Sequence, residues 1–230
     1  MTDKPKIRHF SDLLCVWAYV ANIRLERMAQ DYGDRVDFDL HFCSVFPDTA
    51  TKIAAAWADR GGAAGYGAHV QDVVANFDHV TIHPDVWVRT RPASSTAPHL
   101  FLAAARLMPQ VSAGPDDQAV LGATHRLTWA LRHAFFAEGR DIATWAVQAD
   151  CAAALGHDPD VLRARIDSGA AAAVLDRDVR ICQAMGIAGS PTFVMNDARQ
   201  TLYGNVGYHL LKANVDEMLR GPAAEDASWC

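Results

Sequence analysis

The chain has 230 residues, half of them apolar and 21% charged, which is enough to bury a full core and too apolar for a disordered chain. Its formal net charge of −6 leaves no basic surface for nucleic acid or an anionic membrane, and its basic residues nowhere alternate with aromatics. Met1 to Lys6 carries charges with no apolar run behind it, so it does not read as a signal peptide, and no stretch approaches the roughly 18 apolar residues of a membrane span. The expected location is the cytoplasm, and the five cysteines, odd in number and widely spaced, are expected as free thiols rather than a disulfide scaffold.

Lys6 to Phe10 reads as a short strand, Ser11 and Asp12 as turn and cap, and Val16 to about Tyr32 as one amphipathic helix stopped by Gly33. Val36, Phe38, Leu40 and Phe42 then alternate with Asp37, Asp39, His41 and Cys43. That is a strand with one wet face, at or near a sheet edge. Strand, helix, strand makes a βαβ unit, so these two strands should be parallel. From Asp48 the pattern turns helical: 51–60, 66–77, 97–108, 116–137, 142–155, 159–168 and 170–185, with breaks at Gly61-Gly62, His83-Pro84, Arg91-Pro92, Gly114-Pro115, Gly139 and Gly156. The β character returns at Thr192 to Met195, turns at 196–199 and pairs back over Gln200 to Tyr203, before a last helix from Tyr208 to about Leu219.

The expected fold is α/β: residues 1–47 and 186–222 form one α/β domain, 48–185 a helical insertion, and 223–230 a tail, with the site in the cleft between the first two. Cys15 sits where the first helix begins. Unpaired N–H groups and the positive end of the helix there favour the thiolate and lower the thiol pKa. The plainer alternative is a buried cysteine packing as a small apolar residue. Trp17 is open between a wall of the site and a core aromatic.

Cys15-Val16-Trp17-Ala18-Tyr19 at a strand-to-helix turn, a long helical insertion, and Gly189-Ser190-Pro191-Thr192-Phe193 before a hairpin and final helix resemble the DsbA-like branch of the thioredoxin superfamily, in particular its cytoplasmic FrnE-like members. Ser94-Ser95-Thr96, Phe135 to Gly139 and Gly204-Asn205-Val206-Gly207-Tyr208 are also similar to that branch. The resemblance implies a thioredoxin-like fold with a large all-helical insertion domain, and thiol–disulfide oxidoreductase activity with Cys15 as the catalytic nucleophile. It implies a cis peptide before Pro191, lying against that cysteine, with the backbone of Ser190 pairing to an extended substrate.

Ala18 departs from the pattern, because the redox members hold a second cysteine there to resolve the mixed disulfide. Three outcomes stay open. Cys15 works as a monothiol with glutathione as co-substrate and no bound cofactor; a distant cysteine resolves it; or the site binds glutathione for transfer or isomerisation. The last resembles the kappa-class transferases and hydroxychromene carboxylate isomerases, which hold a serine at the catalytic position; in that reading Asn205 helps hold glutathione. A binding module without turnover is a further alternative. Cys230 is the candidate distant thiol: the last helix carries the chain about 18 Å from the site at 1.5 Å per residue, and the tail spans at most about 33 Å when extended. It would meet Cys15 in its own subunit or a partner's, so a homodimer stays open; an inert tail is the plainer reading. Cys43, Cys151 and Cys182 read as structural or incidental. His79 and His83 lack further ligands at metal spacing.

Overall fold

The computed structural model describes residues 4–108 and 121–220. Strand β1 (Lys6–Ser11) pairs in parallel with β2 (Asp37–Phe42), Ser11 opposite Phe42. β3 (Thr192–Met195) runs antiparallel to β1, and β4 (Gln200–Tyr203) antiparallel to β3, giving the order β2-β1-β3-β4. The expected βαβ unit and C-terminal hairpin are both present, and β2 is an edge strand. One sheet face buries Ile7, Val36, Phe193 and Met195 against Leu25, Met28 and Tyr32 of α2 (Asn22–Tyr32) and Leu211 and Val215 of α10 (Tyr208–Arg220).

Between β2 and β3 the chain forms α3 (Thr49–Trp57), α4 (Gly62–Val74), α5 (Thr96–Ala105), α6 (Gly122–Phe136), α7 (Trp145–Ala154), α8 (Pro159–Asp167) and α9 (Ala170–Ala184). Two of these helices start on side-chain caps: Asp48 accepts from the N–H of Thr51, and Asp158 accepts from that of Asp160 with Pro159 at the first helical position. The core of these helices, including Phe101, Leu102, Leu127, Leu131 and Phe135, is continuous with Leu13, Leu14 and Tyr19. Tyr19 stacks on Phe136 at 4.6 Å and on Trp129 at 5.4 Å.

Two features depart from the sequence pattern. The first helix is interrupted: α1 covers Val16–Val20 and α2 begins at Asn22. The carbonyl of Val20 meets the ring Nε2 of His79 at 3.0 Å, and the N–H of Arg24 bonds Ala21 instead. A side chain thus enters the helix ladder and breaks it, a recognised cause of kinks. His79 serves as that wedge, and His83 accepts from the N–H of Asp85.

The second departure is the wet face of β2. Asp37 is exposed, but His41 and Cys43 at the other end of the alternation are buried, because α9 lies over them. Asp178 of α9 bonds His41 Nδ1 at 2.8 Å and the N–H of Phe42 at 3.1 Å, and Arg106 bonds both Asp178 oxygens at 2.9 and 3.0 Å. Burial pulls His41 toward its neutral form, but Asp178 and Asp39 outweigh it, so its pKa lies above the ordinary 6.5. Burial pushes Asp178 up, and His41 and Arg106 bring it below the ordinary 3.8. The contribution of His41 to stability is therefore complete below pH 6.5 and is lost as pH rises through its folded pKa; that of Asp178 is complete above pH 3.8 and is lost as pH falls. Asp178→Asn is expected to cost about 2 kcal/mol. In urea titrations against pH, its difference from wild type should be largest between those limits.

Candidate active site

The elbow after β1 is built around a carboxylate. Asp12 is fully buried, and its Oδ1 accepts from the N–H of Leu14 at 2.8 Å. Its Oδ2 accepts from the N–H groups of Val45 and Phe46 at 2.8 and 3.0 Å and from the hydroxyl of Ser95 at 2.7 Å. One side chain thus ties the elbow to the segment after β2 and to the start of α5. The Asp12 N–H donates to Ser190 Oγ at 2.9 Å, which brings in the turn before β3. His99 Nε2 accepts from the N–H of Leu13 at 3.2 Å. Burial keeps that ring neutral, as an accepting nitrogen requires.

Cys15 follows in extended conformation immediately before α1, its N–H on the carbonyl of Asp12 and its carbonyl accepting from Ala18 and Tyr19. Its Sγ lies 3.2 Å from the carbonyl oxygen of Ser190, and the Ser190–Pro191 peptide is cis. The structure therefore brings Cys15, Ser190 and Pro191 together. Cys15 and Ser190 are each only 6% exposed.

Burial sets the protonation of this thiol. It pushes the Cys15 pKa above its ordinary value, and the charge of Asp12 adds to the rise; hydrogen bonds with the Ser190 side chain and the N–H of Ala18, and the charge of Arg132, work against it. The lowered pKa expected from the helix start does not hold in this closed state. α1 is only five residues long, and its weak field loses to desolvation.

Arg132 of α6 lies beneath the elbow, 1% exposed. One Nη donates to Ser11 Oγ at 2.8 Å and to the carbonyl of Asp12 at 3.4 Å, while its buried Nε has no hydrogen-bond partner. Burial lowers its pKa to about 10, opposed first by the charge of Cys15 and then by that of Asp12, so it is a cation at neutral pH. A buried cation without a hydrogen-bonded carboxylate is costly, and an anion at Cys15 would relieve it. Arg132→Gln is expected to raise the pH at which iodoacetamide alkylates Cys15, read from the pH–rate profile. Sequence reasoning missed this residue, although its place on the apolar face with Thr128, Phe135 and Phe136 was a legible signal.

Trp17 is 38% exposed, which removes the core-aromatic reading. Tyr203 is 68% exposed and rests on Gly189, where an added Cβ would lie 2.4 Å from its ring. Gly189→Ala is therefore expected to displace Tyr203 and the turn, raising KM more than it lowers kcat in a disulfide-reduction assay. Asn205 sits in the loop before α10, next to Gly204, whose N–H bonds the carbonyl of Pro191 at 2.8 Å. Its Oδ1 is buried without a partner. Cys230 lies outside the described residues. Among the described residues no group of three or more metal-ligating side chains occurs, and no helix is long and apolar enough to cross a membrane.

A cysteine at a strand-to-helix elbow, facing a cis-proline turn on a β2-β1-β3-β4 sheet, defines a thioredoxin-fold protein with a helical insertion. The chain matches the family described as the DSBA-like thioredoxin domain over residues 6–216 and belongs to it; at family level that is a thiol–disulfide oxidoreductase. No curated protein matches it in sequence. Among solved structures it is similar to a probable DsbA oxidoreductase from Streptomyces coelicolor, with 18% identity, 98% of this chain and 94% of that one covered, and a TM-score of 0.71. It is similar to the cytosolic disulfide reductase DsbM from Pseudomonas aeruginosa with GSH, with 20% identity, 94% and 99% covered, and a TM-score of 0.62. A 2-hydroxychromene-2-carboxylate isomerase shares 18% identity, with 94% and 96% covered and a TM-score of 0.61.

Proposed function

We propose that the protein is a thiol–disulfide oxidoreductase working through one nucleophile, Cys15, with glutathione as a co-substrate and the cytoplasm as its compartment. The contact that carries this reading is Cys15 Sγ at 3.2 Å from the Ser190 carbonyl, with Ala18 offering no thiol beside it. The Cys15 thiolate attacks one sulfur of a disulfide RS–SR′; a Cys15–SR bond forms, the RS–SR′ bond breaks, and R′S⁻ leaves. A second thiolate then attacks Cys15 Sγ; a new disulfide to Cys15 forms, the Cys15–SR bond breaks and RS⁻ leaves, and exchange with glutathione reduces that disulfide and regenerates the Cys15 thiolate.

In this reading Ser190 and Pro191 align an extended partner, and Trp17 and Tyr203 supply exposed apolar surface for it. Arg132 supplies the charge that compensates the thiolate once substrate docking has opened the site. Mass analysis after exposure to oxidised glutathione tests it, together with the alkylation pH profile of Cys15. Oxidation of Cys15, as a glutathione adduct or as a protein disulfide formed from it, is the expected result; a Cys15 that stays a free thiol would sink the reading.

The second reading is a glutathione-dependent transferase or isomerase. The buried, partnerless Oδ1 of Asn205 favours it, as an acceptor waiting for a ligand N–H. Binding of the non-reactive S-methylglutathione, lost in Asn205→Leu, is the result that would support it.

A further inference from the structure

We propose that Cys43 is the resolving thiol for Cys15. The inference rests on the thiol–disulfide reading above and names the group that completes it. Cys43 is the first residue after β2, its N–H on the carbonyl of Ser11, so it stands at the same end of the sheet as the elbow that carries Cys15. Its Sγ lies 3.8 Å from the carbonyl oxygen of Gly189, while that of Cys15 lies 3.2 Å from the carbonyl oxygen of Ser190. The two sulfurs thus rest on the carbonyls of two consecutive residues of one turn.

The surroundings of Cys43 suit a thiol that acts second. A cavity of about 390 Å³, lined among others by Cys43, Lys52, Cys182, Gln183 and Gly189, opens beside it. That space lets the side chain change rotamer, which a close-packed interior denies. Burial, with the charge of Asp12 behind it, holds Cys43 in its neutral thiol form at rest. Cys182 also borders the cavity, but its Sγ rests on the carbonyl of Phe42 at 3.7 Å, away from the turn. Cys151 lies in α7, in the same core as Cys15, and does not border that cavity.

The step balances. Attack of Cys15 on oxidised glutathione gives Cys15–SG and one glutathione thiolate. Cys43 sulfur then attacks Cys15 Sγ; the Cys15–Cys43 bond forms, the bond to glutathione breaks, and the second glutathione leaves with the proton from Cys43. Two protein thiols are oxidised by two electrons, and one glutathione disulfide is reduced to two thiols.

The test treats the reduced full-length protein with limiting oxidised glutathione, quenches with acid, alkylates, and maps peptides without reductant. Wild type should yield a Cys15–Cys43 peptide and little retained glutathione. Cys43→Ser and Cys43→Ala should both accumulate Cys15–glutathione, with the first-attack rate within about twofold of wild type. Glutathione retained on Cys15 in wild type as fully as in the variants would overturn the inference alone, as would a Cys15–Cys230 or Cys43–Cys182 peptide in its place. Absence of any adduct at Cys15 in all three proteins would overturn the thiol–disulfide reading and the inference with it. The wild-type map decides the matter even if both variants fold poorly.

Discussion

Cys15→Ser is expected to bring glutathione-dependent insulin reduction down to the uncatalysed rate, a loss on the order of 10³-fold or more, as deletions of enzymatic nucleophiles produce. The reason lies in the sulfur. A serine hydroxyl placed 3.2 Å from the Ser190 carbonyl could keep that hydrogen bond, so the elbow should fold unchanged. A hydroxyl has no comparable anion at neutral pH and does not exchange with disulfides. Unchanged thermal melting with abolished turnover is the expected pair of results. Retained turnover would move the chemistry to another thiol. Because the resting thiol is buried and its pKa is raised, wild-type activity should climb with pH above neutrality until the thiolate fraction saturates.

Asp12→Ala is expected to cost about 3–5 kcal/mol, the largest stability loss of any single substitution near the site. Removal of the carboxylate strands the N–H groups of Leu14 and Phe46 in a buried setting, and leaves the Val45 N–H and the Ser95 hydroxyl only their second partners, the carbonyls of Cys43 and Phe46 at 3.1 Å. Each orphaned buried donor costs about 1–3 kcal/mol, offset in part by water entering the void. Asp12→Asn should cost less, since one amide oxygen can still accept, but its NH₂ group would confront the N–H groups that now point at Oδ2. Urea denaturation of the three proteins, with midpoints ordered wild type, Asn, Ala, checks this. Equal midpoints for wild type and Ala would show that water fully replaces the carboxylate.

The fold was largely legible in the sequence because its signals are local. Period-two alternation over 36–43 marks β2, and Asn196-Asp197-Ala198, all three at positive φ in the structure, mark the hairpin turn. Cys15, Ser190 and Pro191 were legible as a unit through the resemblance carried by their motifs. What stayed hidden depends on contacts between distant segments. Asp12 and Ser95 each read as an ordinary helix cap, and only the folded chain makes them partners across 83 positions. The alternation that put Cys43 on a wet face could not register α9, which begins 127 residues later, at Ala170, and buries that end of the strand. The helix break at Ala21 comes from a histidine 59 residues from Val20, and no local propensity encodes it. The pKa of Cys15 was misjudged for the same reason: the local helix field was visible, and the burial that outweighs it was not.

The span between Asp12 and Ser190, 178 residues, has a consequence for how the site comes into being. Cys15 leaves the ribosome early, whereas the carbonyl that will face its sulfur lies 175 residues further along. At about 5–20 residues per second, the nascent thiol waits roughly 10–35 s for its cover, and Arg132 reaches it only part-way through that wait. During synthesis Cys15 is a bare cysteine, open to whatever disulfide it meets. The buried, protonated thiol of the finished protein is then a late-acquired state, reached when the last strands close over the sheet. Adducts trapped on stalled nascent chains should therefore cluster at lengths short of Ser190.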